Sequence, residues 1–569
     1  MGQLSPTNDR DLISISEARA LAQRAKQAQQ KLAEFSQERI DAIVDAMASA
    51  AADAAEQLAV EAVDETGYGV TADKIQKNLF AARKIHAFIR NMKTVGVIRR
   101  FDERKVIEIA EPFGVVAAVV PSTNPTSTAI FKILIAVKAR CAIVISPHPS
   151  AIGCITRTAD LMANAAHAAG APEGTVNWMT AVTLVGTQEL MSHRDVAVIL
   201  ATGGMGLVRA AYSAGKPAYG VGPGNAPAYI ETSADVRKAV SDITTGKTFD
   251  NGVLCSSENS VVVDEAIAEE VRLEFKAQRG YFLTRDEISA VSEVLVTPQR
   301  LPNPSLVGTT AIKIASKAGI EVPPETRVLL AELEGVGRDY PLSIEKLCPV
   351  LSFYVVEDWH AACARCKEIL RYGGMGHTMS IHSNNEDIIL EFGLKKPAFR
   401  IVVNTPTTHG SIGLTTGLDP SMTLGCGGFG GNITSDNISP MHLLNIKRLA
   451  YGVAKASALP DLPVAERRLP QADRLTKAST LDGDTLADRI DTFLATRNDT
   501  AVVSSVAPRI STKKVSNSTE SVEFVCEDDV RRALQVGQTI LVDSRTIITP
   551  AARDLGEENR IFVHTSPTP

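Results

Sequence analysis

The class of fold follows from one uninterrupted apolar run, Gly114-Val115-Val116-Ala117-Ala118-Val119-Val120. Two more apolar runs follow at 141–146 and 196–201, and segments with helical periodicity, at about 127–139 and 151–169, separate the three. Apolar strands that alternate with helices predict a parallel sheet covered by helices on both faces. In such open α/β sheets, ligands bind at the carboxyl ends of the strands. The sequence therefore predicts a nucleotide-binding α/β domain.

The composition excludes several classes of protein. The 569 residues carry a net charge of -6 with both signs mixed along the chain, whereas nucleic-acid binding needs a basic face. The opening residues lack the apolar stretch of a signal peptide, and no window approaches the roughly 18 apolar residues of a membrane span. The eight cysteines are mostly isolated, and the close pair Cys363 and Cys366 lacks the second pair that a zinc site needs. We expect a reduced, cytoplasmic protein without nucleic-acid or membrane partners and without a metal.

One cysteine lies in a turn with the sequence Asp250-Asn251-Gly252-Val253-Leu254-Cys255-Ser256-Ser257-Glu258. The apolar run after it, 259–263, predicts a buried strand. A thiol on a turn beside a strand is held in place and still reachable, as a nucleophile must be. The alternative is a packed core thiol, because free cysteines are among the most buried residues. Cys426, in the glycine-dense loop 425–432, is the rival candidate for a reactive thiol.

Other loops carry candidate binding groups. The third predicted strand is followed by the segment Thr202-Gly203-Gly204-Met205-Gly206. Glycines at a strand-to-helix turn allow a pyrophosphate to approach the backbone and the helix N-terminus, and a helix is expected at about 207–212. Residues 220–227 are expected to form a rigid loop. His409, after a predicted strand at 400–404, is a candidate acid/base or phosphate ligand; the alternative is a loop histidine satisfied by backbone.

Six motifs follow one another in a fixed order: Glu111-Pro112-Phe113-Gly114-Val115, Pro121-Ser122-Thr123-Asn124-Pro125-Thr126-Ser127, Ser146-Pro147-His148-Pro149, the turn that contains Cys255, Glu345-Lys346-Leu347-Cys348-Pro349-Val350, and Leu424-Gly425-Cys426-Gly427. Over residues 15 to 455 the chain resembles the aldehyde dehydrogenase superfamily, and within it the coenzyme A-acylating branch that includes acetaldehyde, propionaldehyde and sulfoacetaldehyde dehydrogenases. The resemblance implies an α/β fold with a Rossmann-type cofactor domain, a second α/β catalytic domain and an oligomerisation hairpin.

The resemblance also implies roles for single residues. Cys255 corresponds to the nucleophile that adds to an aldehyde, and Asn124 to the side-chain donor that, with the Cys255 backbone N–H, binds the oxyanion. Glu345 corresponds to the glutamate that holds the nicotinamide ribose. Other residues match cofactor-binding segments: Pro121 and Ser122, Thr202, Gly203 and Gly204 at the pyrophosphate end, and His148 where the family has a lysine for the adenosine ribose. The implied cofactor is NAD or NADP, with coenzyme A as co-substrate.

One departure from the superfamily indicates how the acyl group leaves. Hydrolytic members have a glutamate that activates water, and the matching position here is Val221. Without a general base water is a poor acceptor, whereas the thiol of coenzyme A is a far better nucleophile. Glu258 is either a substitute base or a structural carboxylate. We therefore expect a dehydrogenase that oxidises a small aldehyde with NAD(P)+ and transfers the acyl group to coenzyme A; the alternatives are a hydrolytic dehydrogenase and a catalytically silent scaffold subunit.

The C-terminal part extends beyond the resemblance. Leu486, Ile490, Phe493 and Leu494 form an apolar stripe on a predicted short helix. Such a helix after a linker is typical of a docking peptide and resembles the encapsulation peptides of bacterial microcompartment enzymes, which suggests a shell or core partner; the alternative is a helix that packs on its own domain.

The alternating strand before the first apolar run is typical of subunit pairing, and the family implies a homodimer or homotetramer. We expect the following units: 1–242, the NAD(P)-binding domain with the hairpin at about 97–112; 243–430, the catalytic domain; 431–457, a return segment; 458–483, a linker; 484–497, the amphipathic helix; 511–521, a second linker; and 522–569, a small α/β module.

Overall fold

The computed structural model describes residues 6–453 and, nearer the C-terminus, 524–525, 527–542, 546–548, 552–553, 555–556 and 559–564. The chain divides into two compact units, Met1–Ala458 and Leu459–Pro569. The predicted helix at 484–497 and both predicted linkers lie outside the described residues.

Helices and strands alternate through most of the first unit. The α-helices are α1 Pro6–Leu32, α2 Gln37–Asp53, α3 Ala55–Thr66, α4 Thr71–Leu79, α5 His86–Arg90, α6 Pro125–Lys138, α7 Ile152–Ala168, α8 Leu184–Ser192, α9 Met205–Ser213, α10 Val236–Thr248, α11 Ala268–Ala277, α12 Arg285–Leu295, α13 Ala311–Lys317, α14 Trp359–Tyr372, α15 Glu386–Leu394 and α16 Thr407–Ser411. The strands are β1 Gly96–Phe101, β2 Val106–Pro112, β3 Val115–Val120, β4 Ala142–Pro147, β5 Val176–Trp178, β6 Val196–Thr202, β7 Ala218–Val221, β8 Ala226–Ile230, β9 Glu258–Asp264, β10 Gly280–Phe282, β11 Val328–Glu332, β12 Val350–Val356, β13 Gly376–His382, β14 Ala398–Val403 and β15 Leu444–Ala450.

The first sheet confirms the predicted parallel α/β architecture. Its five strands are parallel and lie in the order β5-β4-β3-β6-β7. Every residue of β3 and of the adjacent helix α6 is buried, because apolar strands and an apolar helix exclude water from both sides of the sheet. The expectation of a loop throughout 220–227 was wrong at both ends, because Ala226 and Pro227 begin strand β8. Gly220 and Val221 end strand β7, where backbone pairing with β6 stabilises a segment too short for a clear strand pattern.

The second sheet contains seven parallel strands in the order β10-β11-β12-β9-β8-β13-β14. Strand β8 belongs to this sheet, so the chain passes from the first sheet to the second between Val221 and Ala226. The chain thus enters the second sheet before residue 242, the position expected from the sequence as a domain boundary. The apolar alternation of β8 resembles that of the preceding strands, so the sequence pattern does not reveal which sheet it joins.

A small antiparallel sheet stands apart from the two parallel ones. Strand β2 pairs with β1 on one side and with β15 on the other. Most side chains of β1 and β15 are exposed or half-buried. Both outer strands are therefore edges with unpaired backbone groups, a feature that suits pairing between subunits.

The described part of the C-terminal unit is also α/β. It contains β16 Phe524–Val525, α17 Glu527–Val536, β17 Ile540–Val542, β18 Ile547–Ile548 and β19 Phe562–His564. Strands β16 and β18 pair in parallel, as do β17 and β19. A small core includes Val525, Val530 and Val542. In the described parts of both units, no helix combines the length and hydrophobicity needed to cross a membrane.

Two neighbouring residues of α11 test how the second sheet is stabilised. Phe275 is fully buried and meets Phe282 and Phe353 edge-on, whereas Leu273 is 58% exposed. We expect Phe275→Ala to lower the free energy of unfolding by about 3–5 kcal/mol. Leu273→Ala should change it by less than about 0.5 kcal/mol. Urea unfolding followed by circular dichroism checks this, and equal midpoints for the two variants would contradict the assignment of the core.

Candidate active site

The turn before Cys255 has an unusual backbone. Asp250, Asn251 and Gly252 have φ angles of 50°, 53° and 72°, three consecutive residues in the left-handed region. This conformation is unfavourable for residues with a Cβ and persists only where the surroundings enforce it. The Asn251 side chain donates to the carbonyl oxygen of Gly308 at 2.9 Å. A Cβ on Gly252 would lie 2.9 Å from the carbonyl oxygen of Lys247, so the glycine is required here.

A buried carboxylate holds this turn. Asp250 is fully buried, and its Oδ2 accepts from Lys74 Nζ at 3.0 Å and from Lys77 Nζ. Its Oδ1 accepts from the backbone N–H of Val70 at 2.7 Å. Lys74 and Lys77 are one turn apart on α4 and therefore project from the same face. Burial lowers the pKa of Lys77, while the adjacent Asp250 raises it. The ion cluster fixes α4 against the turn that presents the thiol.

Asn124 connects the first sheet to this cluster. It directly precedes α6, which begins with a proline that pre-organises the first helical turn. Lys77 Nζ donates to Asn124 Oδ1 at 2.6 Å, and Asn124 Nδ2 lies 3.3 Å from Thr123 Oγ1. One lysine side chain therefore contacts both the carboxylate beside the thiol turn and the amide at the end of β3.

A cavity of about 440 Å³ lies at the carboxyl ends of β3, β4 and β6. This volume falls in the range of small-molecule sites. All nine residues singled out from the sequence line it: Pro121, Ser122, Asn124, His148, Thr202, Gly203, Gly204, Cys255 and Glu345. Val221 lines it as well. The folded chain thus brings together residues that are up to 224 positions apart in sequence (345 − 121).

The glycine turn in this cavity fits a dinucleotide. Thr202 Oγ1 is buried and has no hydrogen-bond partner among the described residues. Gly204 precedes α9 without a side-chain cap, and a Cβ at Gly204 would meet no atom within 4 Å. The first N–H groups of α9 are therefore open to an anionic ligand, and a hydroxyl beside them awaits a partner. These features suit the pyrophosphate of NAD or NADP.

The electrostatics of the cavity keep the thiol protonated. Burial raises the pKa of Cys255 to about 12, and the nearby Glu345 and Cys426 add to this, while Arg400 opposes it. Burial also raises the pKa of Glu345 to about 8, although its Oε1 accepts from the Gly224 N–H at 2.9 Å. The resting thiol is thus a weak nucleophile, and a change in its surroundings has to accompany its activation.

The rival candidates lie outside the cavity lining. Cys426 is buried, and its pKa is raised to about 11 by burial. His409 is nearly buried and packs against the ring of Phe249 with the centroids 4.7 Å apart. Glu258 is fully buried, and its Oε1 accepts from the Thr407 N–H at 2.5 Å. Glu258 is therefore a structural carboxylate at the start of α16.

Several groups around the site carry no functional signal in the sequence. In the sequence, Lys74 and Lys77 resemble the solvated charges of an amphipathic helix. No nearby residue indicates that they pair with Asp250. His377 lies close behind the Cys255 loop: a Cβ on Gly224 would be 1.9 Å from the Cys255 carbonyl oxygen and 3.4 Å from His377 Cγ. Burial, with help from Arg400, lowers the pKa of His377 to about 3, so the ring is neutral. His377 lies in strand β13, whose sequence mixes polar and apolar residues and gives no functional signal.

The fold and the cavity define a class of α/β enzyme in which a thiol nucleophile faces a dinucleotide-binding turn. The chain belongs to the aldehyde dehydrogenase family. The family model described as Aldehyde dehydrogenase family matches residues 7–287.

Three similar proteins show how far this likeness extends. The chain is 44% identical over 444 residues to the bifunctional aldehyde-alcohol dehydrogenase AdhE of Escherichia coli K12, covering 77% of this chain and 50% of that protein. It therefore spans about half the length of that curated relative. It is 38% identical to the acetylating succinate-semialdehyde dehydrogenase of Clostridium kluyveri, covering 77% of this chain and 96% of the relative. The crystal structure of an acetylating aldehyde dehydrogenase from Geobacillus thermoglucosidasius matches with a TM-score of 0.77 and 51% identity, over 78% of this chain and 98% of the other.

The thiol's pKa predicts a pH-dependent reactivity. Because the Glu345 carboxylate raises the pKa of Cys255, Glu345→Gln should lower that pKa and increase the thiolate fraction. At pH 9, where Glu345 is charged in the native chain, we expect iodoacetamide to label Cys255 about twofold to tenfold faster in the variant. Peptide mass spectrometry measures the rate. The control Glu334→Gln removes an exposed carboxylate elsewhere and should leave the rate unchanged; equal rates in all three proteins would refute the coupling.

Proposed function

We propose that this protein is a coenzyme A-acylating aldehyde dehydrogenase that oxidises a small aldehyde with NAD(P)+. One observation carries the proposal: Cys255, Asn124 and the glycine turn at Gly203 line a single cavity. Val221, which by sequence matches the position of the hydrolytic base, also lines this cavity. The acetylating activity in the names of the relatives from C. kluyveri and G. thermoglucosidasius supports it.

The first half-reaction uses groups at the inner part of the cavity. The Cys255 sulfur, once deprotonated, adds to the aldehyde carbon and forms a C–S bond, and the carbonyl oxygen becomes an oxyanion. Asn124 Nδ2 and the Cys255 backbone N–H donate hydrogen bonds to that oxygen. Bound NAD(P)+ supplies the acceptor for the hydride that leaves the same carbon. Cys255 is left as a thioester. The residues proposed to hold the cofactor are Thr202, Gly203, Gly204, Pro121, Ser122, His148 and Glu345.

The second half-reaction transfers the acyl group. The side chain of Val221 neither accepts a proton from water nor orients it, which disfavours hydrolysis. The coenzyme A thiolate adds to the thioester carbon, and the C–S bond to Cys255 breaks to release acyl-coenzyme A. The net reaction converts aldehyde, NAD(P)+ and coenzyme A to acyl-coenzyme A, NAD(P)H and one proton.

The assembly of the protein is part of the proposal. The exposed edges of the β1-β2-β15 sheet support a homodimer or homotetramer. A cytoplasmic setting is supported by the described cysteines, all of which are free. The apolar stripe expected at 484–497 supports docking to a shell or core partner inside a bacterial microcompartment.

The acyl acceptor is tested by nicotinamide reduction with propionaldehyde, with and without coenzyme A. We expect continuous turnover only when coenzyme A is present, with NAD+ or NADP+. Cys255→Ala should abolish turnover, whereas the control Cys426→Ala should retain it. Equal turnover without coenzyme A would mean that water accepts the acyl group. The base to replace would then be Glu345, because it is the carboxylic residue among the described residues that line the cavity.

The role of the C-terminal unit is tested by deleting residues 459–569. Because the cavity and the β1-β2-β15 sheet lie in the first unit, turnover per active site should stay unchanged. The number of subunits, obtained as the light-scattering mass divided by the mass of the shortened chain, should stay unchanged as well. A loss of turnover or dissociation into monomers would show that the tail stabilises the enzyme instead of docking it to a partner.

A further inference from the structure

Two buried lysines of α4 share one carboxylate but differ in a second contact. Lys74 and Lys77 are each 2% exposed, and both contact Asp250 Oδ2. Lys74 Nζ also donates to the backbone carbonyl of Thr123 at 3.2 Å. Lys77 Nζ instead donates to the side-chain oxygen of Asn124 at 2.6 Å. Thr123 and Asn124 both line the cavity, but only the contact from Lys77 is made to a side chain and can therefore orient that side chain.

The chemistry of the two partners determines how the amide is oriented. In its ammonium form, which the adjacent Asp250 carboxylate favours, Lys77 has hydrogens to donate and no lone pair, so it binds the oxygen of the asparagine amide and not the nitrogen. Asn124 Oδ1 is therefore held at Lys77, and its two Nδ2 hydrogens point elsewhere. Thr123 Oγ1, at 3.3 Å, is in reach of one of them. The other remains for a ligand in the cavity.

We propose that Lys77 is a positioning residue that holds the Asn124 amide with its nitrogen, and not its oxygen, towards the aldehyde oxygen. This inference rests on the proposed function. An amide rotated by 180° would place its oxygen beside the developing oxyanion, where two acceptors repel each other. The Lys77 ammonium prevents this rotation because it has no lone pair to accept a hydrogen bond from the amide N–H groups.

Asp250 extends the same control to the nucleophile. Asp250 precedes Cys255 by five positions and belongs to the turn that carries the thiol. Its carboxylate also accepts a hydrogen bond from Lys77, the residue that orients the Asn124 amide. The donor comes from the end of β3 and the thiol from the start of β9, and each belongs to a different sheet. The Asp250–Lys77–Asn124 chain keeps the two at a constant separation.

The test compares Lys77→Met with Lys74→Met, which removes the same charge from the same carboxylate but leaves the Asn124 contact. Two rates are measured in each: the burst of NAD(P)H after mixing with propionaldehyde, which needs the oxyanion donor, and iodoacetamide labelling of Cys255, which forms no oxyanion. We expect Lys77→Met to slow the burst about 10-fold to 100-fold with little change in the aldehyde KM. Labelling should stay within about twofold, and Lys74→Met should slow the burst by less than about threefold.

Further variants separate positioning from simple destabilisation. Lys77→Gln replaces the ammonium by a neutral amide on a shorter side chain that does not reach Asn124. It should show the same selective loss and serves if Lys77→Met does not fold. Asn124→Ala should lose the burst, and adding Lys77→Met to it should cause little further loss, since Lys77 acts through Asn124. Equal losses in the Lys74 and Lys77 variants, parallel losses of burst and labelling, or additive effects with Asn124→Ala would each overturn the inference while leaving the proposed function intact. A native protein without any burst would overturn both.

Discussion

A buried negative charge is the constraint on which the active site depends. The Asp250 carboxylate is fully buried, and a charge in that position is tolerated only when it is paired and hydrogen-bonded. Two lysines and the Val70 N–H provide those partners, all from α4 or the residue before it. Removing one partner of such a cluster typically costs about 3–5 kcal/mol. This interaction offsets the unfavourable left-handed backbone of the turn that carries Cys255. It also fixes helix α4 against the active site.

The site is assembled from two sheets that contribute different chemistry. The first sheet supplies open backbone groups at the carboxyl ends of its strands, namely the turn after β6 and the start of α6. The second sheet supplies reactive side chains, with Cys255 before β9 and Glu345 before β12. Neither half contains both the dinucleotide turn and the thiol. The division explains why the cavity needs a connection that spans it, and the lysine of α4 provides one.

The sequence predicted the regular part of this design and missed the part that depends on distant contacts. Buried parallel strands are recognisable as apolar runs in the sequence, so β3, β4 and β6 were predicted correctly. The family resemblance identified nine cavity-lining residues. Seven of them lie at or directly after the carboxyl ends of such strands, whereas Cys255 and Glu345 precede strands β9 and β12. Lys77 carries no such signal, because a charge on an amphipathic helix is usually solvated, and its partner Asp250 lies 173 residues away. Strand β7 was missed because its residues become extended only when they pair with β6.

The protonated state of Cys255 affects how easily the thiol is oxidised when no substrate is bound. Peroxides react with the thiolate and hardly with the thiol, and overoxidation to the sulfinic acid is irreversible in most proteins. A sulfur whose pKa is raised to about 12 is almost wholly in the unreactive form near neutral pH. The burial that makes the resting thiol a weak nucleophile also lowers its reactivity towards oxidants. We therefore expect the resting sulfur to react slowly with peroxides, and its activation to require a change in its surroundings when substrate binds.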